Sequence, residues 1–169
     1  MEDVHVLTGA LKLFFRELKE PLIPWSCVSK LLLAANAQSK KKRISGMREL
    51  VGPKGMSKAH RDTLQVLKLF IVYIYPKGKN PSDGIISSID YRKCNHKWFL
   101  FQCLLRHLVK VASFKDKNRM QFSNLAIVFG PTLMWSPPQE ASKTVNLALD
   151  LMQQNMIVEA LLNNVDAIF

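Results

Sequence analysis

Helical periodicity at both ends of the chain, scarce strand-like text and ample apolar content together predict an all-α fold. Val4, Leu7, Leu11, Phe14 and Leu18 recur at spacings of three and four, drawing one apolar stripe along a helix. Leu147, Leu151, Val158, Leu161 and Val165 draw a second stripe near the other end. With 169 residues, 48% of them hydrophobic, the chain suffices for one domain with an ordinary core. That apolar content is too high for a disordered segment.

The first helix has Asp3 ahead of its stripe as an N-cap. Lys12 and Arg16, four apart, project from a common face other than the apolar one. Pro21 and Pro24 stop the helix in a short extended turn. Val28–Ala35 reads as a second helix and Ile44–Val51 as a third, closed by Gly52-Pro53. Lys40-Lys41-Lys42-Arg43 between them reads as a solvated basic loop. Ser57 opens a fourth helix. Later, Asp116–Arg119 is a polar turn, and Asn124–Phe129 is a short apolar helix broken by Gly130-Pro131. Ser136-Pro137-Pro138 makes a loop before the final helix.

One stretch departs from this pattern. Leu69–Tyr75 is uncharged, β-branched and aromatic, and Pro76–Gly84 is rich in turn residues. Removing Val66–Gln102 restores one helical stripe from Leu64 through Leu104, Leu105, Leu108, Val109 and Ala112. The chain is therefore read as one domain, 1–169, interrupted at about 66–102 by an irregular or strand-like insertion. Val66 and Gln102 also suit the ends of an in-frame intron, and Phe99-Leu100-Phe101 the pyrimidine tract before a splice acceptor.

Charge and motifs narrow the function. The formal net charge of +11 favours acidic partners. Nucleic acid is set aside, because the basic runs are not interleaved with stacking aromatics and match no reader motif. An anionic membrane surface met by the basic loop remains open. No apolar stretch reaches the roughly 18 residues of a membrane span, and MEDVHV lacks the positive start of a signal peptide. Cys27, Cys94 and Cys103 form no CxxC, which fits reduced thiols in a cytoplasmic setting. No GxSxG, HExxH, P-loop or GxGxxG occurs. His60 and His107 read as helix-surface residues, and Cys103 near His107 as a helix neighbour.

Two segments carry a family resemblance. GALKLFFRELKEPLIP, Gly9 to Pro24, is similar to the segment of Rho GTPase-activating (RhoGAP) domains in which a Lys/Arg-bearing helix runs into an R-E-L-P-E-P-L turn. KNRMQFSNLAIVFGPTLM, Lys117 to Met134, resembles the family's N-R-M, N-L-A and F-G-P-N/T-L block. QNMIVEALL and the closing Ile168-Phe169 resemble its last helix. Lys19 stands where the turn usually has proline.

The resemblance implies a RhoGAP-type helical bundle lacking its N-terminal helices. It implies a partner, a Rho, Rac or Cdc42-type GTPase. It implies no cofactor of the chain's own, since GTP and Mg belong to the GTPase. By position, Lys12 meets the GTPase, Arg16 braces the arginine-finger loop and Asn124 helps order the site. Pro131 belongs to the F-G-P turn, and Thr132 stands where many members carry a GTPase-contacting asparagine. The finger itself lies, in the family, in a G-x-[FY]-R-x-S-G-type loop that does not occur in these residues. The implied activity is GTPase activation, with this chain expected to bind and to accelerate hydrolysis little. The alternative is a non-catalytic GTPase-binding or membrane-docking module.

Overall fold

The computed structural model describes residues 4–18, 20–52, 55, 96–135 and 147–169. Within them eight helices follow in order: α1 (Val4–Arg16), α2 (Trp25–Ala35), α3 (Lys40–Val51), α4 (His96–Ala112), α5 (Lys115–Asn118), α6 (Phe122–Leu133), α7 (Leu147–Leu162) and α8 (Val165–Ile168). The expected all-α architecture is borne out among the described residues. The expected strand-like run Leu69–Tyr75, the fourth helix at Ser57, the Asp3 cap and Lys19 lie outside them.

The most extensive packing joins α6 to α7; α2 lies between α3 and α7, and α1 rests on α6. Helix α4 packs against α6 and α7, and short α8 closes the bundle against α3 and α4. One continuous core runs through all of these, from Phe15, Leu22 and Leu31 through Leu104 and Leu105 to Leu133, Val158 and Leu161. Leu11 and Phe14 of α1, and Leu18 just beyond it, are half-buried at the core's margin, while Phe15 is fully buried. The apolar stripe is thus centred one residue away from its expected line.

Three boundaries differ from the expectation. The basic run is helical: α3 begins at Lys40, directly after Ser39, whose side chain makes no capping bond. Arg43 explains the ordering, because its Nε and Nη2 donate to the Ala37 carbonyl at 3.2 and 2.9 Å and staple the turn to the helix. Second, α4 starts at His96, inside the segment expected to be inserted. Leu100 and Phe101 are fully buried, and with Leu104, Leu105 and Leu108 they form one uninterrupted stripe. Third, α6 runs through Gly130-Pro131 to Leu133. Proline there forgoes one helical bond, to the Ile127 carbonyl. Glycine serves close approach and not chain reversal: a Cβ at Gly130 would lie 2.9 Å from Asn155 Oδ1 and 3.3 Å from Gln154 Cβ.

The C-terminus is locked by charge and aromatic contact. Arg48 Nε donates to the Ile168 carbonyl at 3.3 Å, and its Nη2 to that of Ala167, which caps α8 from α3. Arg106 pairs with Asp166 at 3.0 Å. Phe169 stacks near Trp98 and edge-on to Phe101, with ring centroids at 6.1 and 6.2 Å. Replacing Phe101 by alanine is expected to cost about 3–5 kcal/mol. Denaturant titration checks this; an unchanged midpoint would place Phe101 outside the core.

His107 and Cys103 lie one turn apart on α4, both partly buried. Burial pushes the Cys103 thiol up to about 11, against a smaller lowering by Arg106, so it stays protonated and inert. Burial, then the charge of Lys110, holds His107 below its ordinary value, and its buried Nδ1 has no hydrogen-bond partner. The unfolded chain therefore takes up this proton first as pH falls. His107 supports the fold fully above about 6.5, the unfolded value, and progressively less below it. Melting temperature is expected to drop between pH 7.5 and 5.5, and by less in His107→Gln; an equal drop in both would assign the effect to other groups.

Candidate functional site

The candidate residues lie on two helices and the corners that join them. Lys12 and Arg16 are one turn apart on α1; Lys12 is half-buried and Arg16 exposed. Neither makes a hydrogen bond or ion pair among the described residues, so both ammonium and guanidinium are available to an anionic partner. The last turn of α1 leaves carbonyls without helical donors. One of them, that of Phe15, accepts the Trp135 indole N–H at 3.0 Å. Just beyond the turn, the Ile23 N–H donates to the Leu133 carbonyl at 3.0 Å. Arg16 is thereby held beside the C-terminal end of α6.

Asn124 stands at the other end of that helix, about 10 Å along the axis from Pro131 at 1.5 Å per residue. Its Nδ2 donates to the Arg119 carbonyl at 2.7 Å. Arg119 carries the one left-handed backbone of a non-glycine residue among the described ones, with φ 58°. Asn118 completes the corner: its Nδ2 donates to the Val111 carbonyl and its Oδ1 accepts the Met120 N–H, both at 2.8 Å. The two asparagines of the N-R-M and N-L-A motifs thus fix the α5–α6 corner and present Arg119 outward. The sequence reading passed over Arg119; its signal is an arginine between two asparagine-held positions.

Pro131 is partly exposed, in the last turn of α6. Thr132 is fully buried, its hydroxyl donating to the Val128 carbonyl at 3.4 Å. A side chain so placed supports the end of α6 from inside. The structure brings Arg16 to the α6 end that carries Pro131 and Thr132, and leaves Asn124 at the opposite end. Trp135, one residue beyond the recognised motif, was missed although it makes the link to α1.

Nothing among these residues forms a metal or small-molecule centre. Among the described residues no group of three His, Cys, Asp or Glu could hold a metal ion. No helix of the described residues is long and apolar enough to cross a membrane. Two open cavities, about 470 Å³ beside Phe122 and Glu159 and about 520 Å³ beside Asn36 and Asn163, include none of the five candidate residues. Lys12, Arg16 and Pro131 instead offer partly or fully exposed surface on α1 and α6.

Comparison with known proteins points the same way. The model of the RhoGAP domain matches residues 1–78 and 93–138. Its gap, 79–92, falls inside the 66–102 stretch expected to be inserted and is much shorter. The chain is 32% identical over 168 residues to Rho GTPase-activating protein 15 of Mus musculus, covering 99% of this chain and 26% of that protein. It is 33% identical to Rho GTPase-activating protein 12 of Homo sapiens, with 99% and 15% covered. It thus spans about a quarter or less of these relatives. The crystal structure of human Rho GTPase activating protein 15 superposes with a TM-score of 0.66 at 30% identity, over 99% of this chain and 59% of that one. The BH domain from Graf shares the fold, with a TM-score of 0.64 at 24% identity. With more than half its length matched by the family model, the chain belongs to the RhoGAP domain family.

Proposed function

We propose that this chain binds a GTP-loaded Rho-family GTPase through the face of α1 that carries Lys12 and Arg16. The observation that carries this reading is the placement of two cations, without partners among the described residues, one turn apart on a helix whose end is hydrogen-bonded to α6. A cation held by the backbone loses less freedom on binding than one on a loose segment, and so contributes more. Asn124 orders the α5–α6 corner, Pro131 lends partly exposed apolar surface, and Thr132 supports the helix end from inside.

These 169 residues contain no finger-type arginine loop, so the reading is binding with little catalysis. Such an arginine is worth roughly three to five orders of magnitude in rate. Single-turnover hydrolysis by Rho-, Rac- and Cdc42-type GTPases is expected to change less than about tenfold when the chain is added. Arg16→Ala and Lys12→Ala are each expected to weaken binding to the GTP-loaded form about tenfold. Acceleration beyond tenfold would reveal an arginine acting as a finger, and full affinity in both variants would move the interface elsewhere.

A second reading, docking on anionic membrane, rests on one observation. Lys40, Lys41 and Lys42 are all exposed at the start of α3, and Leu33, 75% exposed, lies on the helix packed against it. At about 1 kcal/mol per lysine, reversing all three to glutamate is expected to lower affinity for phosphatidylserine vesicles on the order of hundredfold. Cosedimentation checks this; equal binding to neutral phosphatidylcholine vesicles would overturn it.

A further inference from the structure

We infer that Trp135 and Gln154 are positioning residues of the Lys12–Arg16 face, an assignment that rests on the reading of that face as a GTPase contact. Three consecutive residues at the end of α6 each bond to a distant part of the chain. The Leu133 carbonyl accepts from Ile23, the Met134 carbonyl from Gln154 Nε2 at 3.2 Å, and the Trp135 indole donates to Phe15. Gln154 is only 6% exposed, and its Oε1 has no partner. A polar side chain is costly at such a place unless its other half does something definite. Here its amide holds the backbone immediately before Trp135. Trp135 in turn holds the carbonyl immediately before Arg16.

The result is a brace of two hydrogen bonds running from α7, through the end of α6, to the end of α1. Gly130 eases it, because a Cβ there would lie 2.9 Å from Asn155 Oδ1 and 3.3 Å from Gln154 Cβ, so both neighbours would have to give way. Fully buried Met134, whose N–H bonds the Gly130 carbonyl at 3.1 Å, keeps the intervening turn in one geometry. Arg16 is thus oriented from α7, an element that bears none of the candidate contact residues.

The test uses the full chain, with Trp135→Phe removing the indole N–H while keeping an aromatic ring, and Gln154→Met removing the amide at similar volume. Hydrogen exchange of the segment 11–18 reads the brace directly and requires no GTPase. Losing one such bond is expected to speed exchange there about fivefold, with the other helices unchanged. Affinity for a Rac-type GTPase carrying a non-hydrolysable GTP analogue is expected to fall about threefold to tenfold in both variants. That fall should vanish when Arg16 is already alanine. Unchanged exchange in 11–18, or a rise shared by every helix, overturns the brace. An equal affinity loss with and without Arg16 overturns the positioning role. A wild-type chain that binds no Rho-family GTPase overturns the reading of the face, and the exchange result then decides the brace alone.

Discussion

The most extensive helix packing among the described residues is that of α6 on α7, where Gly130 faces Gln154 and Asn155, and the geometry of the candidate surface follows from it. An apolar helix such as α6 could slide or rotate on a greasy partner with little penalty, since dispersion and burial are non-directional. The crossing removes that freedom. A missing Cβ admits the backbone of one helix to the side chains of the other, and the Gln154 amide then bonds the Met134 carbonyl. With α6 fixed, its final carbonyls and the Trp135 indole become fixed points for the turn at Ile23 and the end of α1. The same end of α6 satisfies groups that helix termini ordinarily leave to water.

Three of the arginines serve the fold. Arg43 staples the α2–α3 turn, Arg48 caps α8, and Arg106 pairs with Asp166. The cations left without structural duties include Lys12 and Arg16 on α1, and the lysines that open α3. Three lysines at a helix N-terminus oppose the helix dipole, so α3 is held by packing and by Arg43 more than by its own ends. Those two groups of cations give the two binding readings, and only the first sits on backbone braced by tertiary hydrogen bonds.

Sequence periodicity made α1, α2 and α7 legible, because each turns one stripe to the core. It failed where tertiary contact overrides a local rule. Gly130-Pro131 looks like a helix stop, yet the glycine sits against Gln154 and Asn155 of α7 and the proline forgoes a single bond. His96–Gln102 looked foreign because Phe99-Leu100-Phe101 adjoins strand-like text; the burial of Leu100 and Phe101 shows that seam to be core. Of the candidate site, the two motifs disclosed Lys12, Arg16, Asn124 and Pro131. They could not disclose that Thr132 points inward, since helix phase near a proline is set by neighbours. Nor could they disclose Trp135, whose indole matters only because Phe15 lies opposite it, 120 residues away.

On the proposed reading, binding and catalysis separate in such a surface. Interactions made equally with the ground state and the transition state tighten a complex without hastening its chemistry. Lys12 and Arg16, which have no partner among the described residues, are on that reading suited to uniform binding of this kind. Charge that develops on a transferring phosphoryl group needs a donor aimed at that charge, and a finger arginine is such a donor. On the proposed reading, these residues would hold a GTPase in its GTP-loaded state for as long as they stay bound. Hydrolysis would then depend on an arginine delivered from elsewhere onto the surface that α1 and α6 present. A brace that fixes Arg16 against α6 would matter twice over, once for affinity and once for the placement of that delivered group.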